Sequence, residues 1–134
     1  MGVVSELIAS EGGKLEFGDY SLDSKTKKDG FEFSGDIYKV KTFSEITRLE
    51  KNGVFAYESV PGTAVHGFTY TDDGVEFSVE AATDADITIG LDENKEYEIF
   101  INGESAGKMS TNLGGKLTMN VEISNEPVNV KVVG

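Results

Sequence analysis

Leu117-Thr118-Met119-Asn120-Val121-Glu122-Ile123 alternates apolar and polar side chains without a break over seven residues. Such a period of two sends one set of side chains into a core and the other into water, the signature of a half-buried β-strand. Leu113-Gly114-Gly115 just before it supplies a turn. The same pattern recurs in both directions. Downstream lies Val128-Asn129-Val130-Lys131-Val132, and upstream lie Tyr97 to Ile101, Ile87-Thr88-Ile89 and Val75 to Glu80. Phe68 to Thr71, Val54 to Tyr57, Ile37 to Lys41, Phe31-Glu32-Phe33 and Lys14 to Phe17 follow toward the N-terminus. Asp72-Asp73-Gly74 and Asn102-Gly103 fall between runs, where short hairpin loops need a residue at positive φ. From about Ala64 onward seven candidate strands are expected, six of them the runs named, the number and spacing of an immunoglobulin-like sandwich. The fold expected is an all-β, antiparallel β-sandwich of ten to twelve strands, immunoglobulin-like in its C-terminal half.

One stretch reads two ways. Thr42-Phe43-Ser44-Glu45 has capping-box form, Phe43, Ile46 and Leu49 recur every three residues, and Asn52-Gly53 would stop a short helix. The same Asn52-Gly53 is a strong two-residue hairpin signal joining Ile46–Lys51 to Val54–Ser59. That hairpin places Leu49 opposite Ala56 and Glu50 opposite Phe55. Residues 3 to 9 read as a short strand or a single helical turn.

The chain of 134 residues suits one unit spanning 1–134. Val60-Pro61-Gly62-Thr63 offers a subdivision into 1–61 and 62–134, but the first part would be marginal alone. Sixteen glycines against two prolines read as turn punctuation. Twenty-four carboxylates against twelve basic residues leave a net charge of −12, which opposes binding to nucleic acid or anionic lipid. The cluster Lys25, Lys27, Lys28 is flanked by Asp23 and Asp29 and reads as a solvated turn. No run reaches the roughly 18 to 20 apolar residues of a membrane span, so no membrane insertion is expected. The first residues lack the basic start and apolar stretch of a secretion signal. As written the chain reads as cytoplasmic, with a surface or secreted form left open.

The chemistry is sparse. There is no cysteine, one histidine and one arginine, and neither a Gly-x-Ser-x-Gly elbow nor a phosphate loop occurs. His66 reads as a half-buried strand residue, since a Ser–His pair needs an acid and a nucleophile converging on it. No enzyme, cofactor or committed metal site is expected. Asp84, Asp86, Asp92 and Glu93 are the candidates for calcium, because loop carboxylates suit that ion. Tyr38, Tyr57 and Tyr70, with His66, are the candidates for a ligand-bearing face, since sugar rings stack on exposed aromatics.

Two stretches carry resemblances. Gly35 to Phe43 through Gly53 to Val65 resembles a family of short acidic, uncharacterised proteins of anaerobic Gram-positive bacteria, some labelled endosialidase-like. Sialidase families hold the substrate carboxylate with three arginines and use a tyrosine nucleophile; Arg48 stands alone here, so the resemblance implies no such activity. Val75 to Val79, Tyr97 to Gly103 and Gly114-Gly115-Lys116-Leu117 are similar to immunoglobulin-like accessory domains of bacterial polysaccharide-degrading enzymes, which implies a spacer role. The function expected is a non-catalytic structural or interaction module, a homo-oligomer assembled through a β-edge or the N-terminal segment. Val3, Val4, Leu7 and Ile8 would pair there with an edge strand of a neighbouring copy. The alternative is a carbohydrate-binding accessory module.

Overall fold

A computed structural model describes residues 3–4, 6–124 and 126–134. Its thirteen strands are β1 (Ile8–Glu11), β2 (Lys14–Phe17), β3 (Thr26–Phe33), β4 (Asp36–Phe43), β5 (Ile46–Lys51), β6 (Val54–Val60), β7 (Ala64–Tyr70), β8 (Gly74–Glu80), β9 (Ala85–Gly90), β10 (Glu96–Ile101), β11 (Glu104–Ser110), β12 (Lys116–Val121) and β13 (Val128–Val133). They form two antiparallel sheets of seven strands, β1-β2-β7-β8-β13-β10-β11, and six strands, β12-β9-β6-β5-β4-β3. The sheets pack face to face, as a sandwich expects. Strands from before and after Pro61 share both sheets.

Of the seven strands from Ala64 onward, six are those the alternation marked; β11, exposed at every residue, carries no such alternation. The order of the seven, however, differs from an immunoglobulin domain, which keeps its last strand beside its sixth. Here β13 inserts between β8 and β10 in one sheet, while β12 pairs with β9 in the other. Four of the six connections therefore cross between layers.

Among the described residues there is no helix, so the short helix considered for 42–53 is replaced by the β5–β6 hairpin. Its register sets Glu50 opposite Phe55 but Leu49 opposite Tyr57, not Ala56. Ala56 is the extra residue of a bulge, which turns both Ala56 and Tyr57 inward, each at most 1% exposed. An ideal hairpin would alternate, and that is why neither face looked clean in the sequence. Of residues 3 to 9, strand begins only at Ile8; residue 5 lies outside the described residues.

The core centres on rings. Tyr57, Phe17, Phe68 and Phe77 meet edge to face at centroid separations of 5.2 to 6.2 Å, with one tilted pair, Phe68 and Phe77, at 5.7 Å. Tyr70 joins through Phe68 at 5.4 Å. Beside the rings lies a polar knot: Thr42, Thr47, Ser59 and Thr63 are all fully buried. Thr63 sits where the chain leaves one sheet for the other, so its backbone has no ladder partner. Thr47 replaces that partner, donating from Oγ1 to the Thr63 carbonyl and accepting from the Thr63 N–H, both at 3.0 Å. Thr42 donates in turn to Thr47 at 2.8 Å, and the Asp19 N–H donates to Thr42. Tyr57 and Ser59 hydroxyls bond Thr63 Oγ1, each at 2.8 Å. Gly18 is required here: at φ +101 its backbone lies so close that a Cβ would strike the Thr63 carbonyl oxygen.

Two predictions follow from this core. Thr47→Val keeps the volume but strands two buried backbone groups of Thr63. It should cost about 2–4 kcal/mol in urea unfolding, whereas a loss within 0.5 kcal/mol, the ordinary range for a surface substitution, would show the knot to be dispensable. Burial also pushes the phenols of Tyr57 and Tyr70 above the ordinary tyrosine value. Folding then favours the protonated phenol, so its contribution is whole below the unfolded value of about 10 and is lost as pH rises beyond it. Burial raises the Tyr38 phenol as well, so ultraviolet titration of the native protein should lag that of the urea-unfolded chain by three of five phenolates; coincident curves would contradict it.

Candidate functional site

The expected ligand face does not assemble. Tyr38 and Tyr57 point inward from the six-stranded sheet and are 4% and 0% exposed. Tyr70 points inward from the opposite sheet, donating its hydroxyl to the Gly90 carbonyl at 3.0 Å. The three rings thus share the interior, and none lies flat on an outer surface. His66 stands on the outer face of the seven-stranded sheet, opposite Ser78, with Nδ1 3.2 Å from Glu16 Oε2.

The calcium candidates divide between the two ends of β9. Asp84 accepts from the Ile123 N–H and Asp86 from the Asn120 side-chain amide, both at 2.9 Å. Asp92 and Glu93 follow the far end of the strand, roughly 20 Å away at about 3.3 Å per residue. Among the described residues no group of three or more His, Asp or Glu side chains is placed to hold a metal ion.

Of the N-terminal candidates, Val4 and Ile8 are buried in the chain's own core and Leu7 packs against it. Backbone bonds tie this segment down, Val4 N–H to Gly18 O and Gly18 N–H to Leu7 O. Val3, at 39% exposed, is the apolar side chain of the four left facing solvent.

Two features emerge that the sequence did not mark. The first is a cleft of about 340 Å³ at one end of the sandwich, where the β5–β6, β7–β8, β9–β10 and β11–β12 connections meet. Tyr70 and Tyr97 form one wall, and Ala56, Gly90 and Leu91 the other. Asp72, Asp73 and Asp92 stand at the rim with Lys51 and Lys95, whose ammonium groups lie over the Tyr70 and Tyr97 rings, each at 5.3 Å. Four connections distant in sequence contribute, so no local motif announces the cleft. Ile37, Val54, Met109 and Leu113, four of the exposed large apolar residues, cluster toward this end.

The second feature is an edge. A sandwich has four, and proteins guard them with short strands, bulges, lysines or proline. β1 is four residues long. β3 is bulged between Lys28 and Phe31 and carries Lys27 and Lys28 beside Lys25. β11 is bulged opposite Ile99/Phe100. β12 has none of these guards beyond Lys116 at its start: it pairs with β9 in unbroken register over six residues. The strand that opened the sequence reading is the open edge of the six-stranded sheet. Beyond it β11 overhangs, exposed on both faces over all seven residues. Met109, opposite the buried Tyr97, turns to the inner side of its sheet and still remains 41% exposed, because no strand of the other sheet lies across from it.

No protein-family model, no curated protein and no solved structure matches the chain.

Proposed function

We propose that the chain is a non-catalytic interaction module that self-associates by adding a strand at the open edge of its six-stranded sheet. The observation that carries this reading is the step between the layers. One sheet ends in an unguarded strand, while the other projects one strand further with its inner face uncovered. An added strand satisfies the free backbone groups of β12 and covers Met109 in the same movement, the two gains of strand addition. The inward placement of Val4 and Ile8 favours this edge over the N-terminal segment as the route. Light scattering across a concentration series tests it. The mass should climb above the monomer's 14.4 kDa as concentration rises; a mass fixed at 14.4 kDa up to the highest soluble concentration sinks the reading.

A second reading, carbohydrate binding, is favoured by the end cleft alone. Aromatic walls with carboxylates and ammonium groups at the rim suit a polyhydroxylated ring. Its test is a glycan array followed by titration calorimetry of any hit against Tyr70→Ala. A hit whose heat vanishes in that variant supports it, and a blank array removes it.

A further inference from the structure

We propose that Asn102, in the turn between β10 and β11, is a site of spontaneous covalent modification, losing its amide to become aspartate and isoaspartate. The matching turn at Asn52 is locked against the same reaction. This inference is independent of the self-association reading.

The chemistry needs only the chain and water. The nitrogen of the following glycine attacks the asparagine Cγ. A bond forms between them, the bond from Cγ to Nδ2 breaks, and Nδ2 leaves as ammonia with the glycine's proton. Water then breaks one of the two C–N bonds of the resulting succinimide, its hydroxyl going to the carbonyl carbon and its proton to the nitrogen. Opening at Cγ gives aspartate. Opening at the main-chain carbonyl gives isoaspartate, which lengthens the main chain by one atom. Glycine permits the attack because no Cβ shields its nitrogen, and Asn52-Gly53 and Asn102-Gly103 are the Asn-Gly pairs of this chain.

The two turns are the same device. Each closes a two-residue loop, with Lys51 opposite Val54 and Ile101 opposite Glu104. Both asparagines sit at φ 52°, and the glycines follow at 79° and 85°. Each asparagine also adds one rung to the ladder with the next strand. Asn52 N–H donates to Ile37 O at 2.7 Å, and its Oδ1 accepts from Ile37 N–H at 2.9 Å. Asn102 repeats this with Asn129, at 2.8 and 2.9 Å. All four turn residues are exposed, so water reaches both sites.

Two differences separate them. Asn52 Nδ2 donates to Asp36 Oδ1 at 2.8 Å, and Lys51 Nζ lies 3.5 Å from the other oxygen of that carboxylate. Swinging Cγ onto Gly53 N must break this charge-assisted bond as well as the one from Ile37. Asn102 Nδ2 has no partner among the described residues, so the Asn129 bond alone restrains it. The second difference is the setting. β5 and β6 are flanked by β4 and β9, whereas β11 is an edge strand exposed at every residue. Segments that bury little open locally at small cost, and the Asn102 turn opens with β11.

Incubation of the native chain at mildly alkaline pH, followed by peptide mass spectrometry, tests the assignment. Asn102 should convert about tenfold faster than Asn52, the ratio that one further charge-assisted bond supports. In urea, where neither turn exists, the two rates should converge. Asp36→Ala should raise the Asn52 rate toward that of Asn102, with Asn102 in the same molecule as the internal reference for an intact fold. Equal rates in the native chain, or a faster Asn52, overturn the proposal, and that comparison decides it whether or not the variant folds. An Asn52 that stays slow in a folded Asp36→Ala chain overturns the lock.

Discussion

The crossing from β6 to β7 is the point on which the rest of the sandwich depends. The chain must pass there from one sheet to the other, through Pro61 and Gly62, inside protein rather than around it. A buried backbone group without a partner costs about 1–3 kcal/mol, more than an ordinary hydrogen bond returns. Thr63 would leave two such groups. Thr47 meets both with one hydroxyl, and Thr42, Ser59 and Tyr57 satisfy the hydroxyls that remain. No buried side-chain nitrogen or oxygen among the described residues is left without a partner. The knot joins β4, β5 and β6 to the start of β7, and through Asp19 to the segment after β2. It fixes how the layers lie on each other and, through them, where each sheet ends.

Unequal sheets follow from that arrangement. With seven strands over six, one strand must either project or be covered by something else. β10 still buries Tyr97 and Ile99 over the six-stranded layer, at 2% and 3% exposed. β11, one step further, buries nothing. Its composition agrees, since Glu104 to Ser110 holds a single large apolar residue, Met109. The open step is thus written into the strand order and the residues together.

Much of the fold was legible because alternation is a local property. Residues such as Val75, Phe77 and Val79 declare an inward face whatever they pack against. The errors came where a local pattern served a distant partner. Thr42 heads a string shaped like a helix cap, yet its hydroxyl meets Thr47 and Asp19 in the core. The aromatic spacing around Tyr57 hides a bulge, which no propensity scale records. Tyr38 and Tyr57 are buried and structural, whereas Tyr70 packs inward and also lines the end cleft. The cleft and the open edge were illegible for the same reason: each depends on sheet order, fixed by contacts far apart in sequence. β12 was recognised as a strand at once, but nothing within it says whether a neighbour lies on one side or two.

Charge completes the account of that edge. A chain of net charge −12 repels its own copies at long range. That charge is unevenly spread. The outer face of the six-stranded sheet carries Lys27, Lys39, Lys41, Arg48 and Lys116 against Glu32, Glu50, Glu58 and Asp86. Five cations against these four carboxylates, with Glu122 just beyond β12 as a fifth, leave it close to neutral, so the net charge resides on the other sheet and the connections. In the proposed association along the β12 edge, the near-neutral faces of the two copies lie side by side. Repulsion decays over about 8–10 Å in physiological salt, whereas the edge hydrogen bonds of the proposed association act in contact.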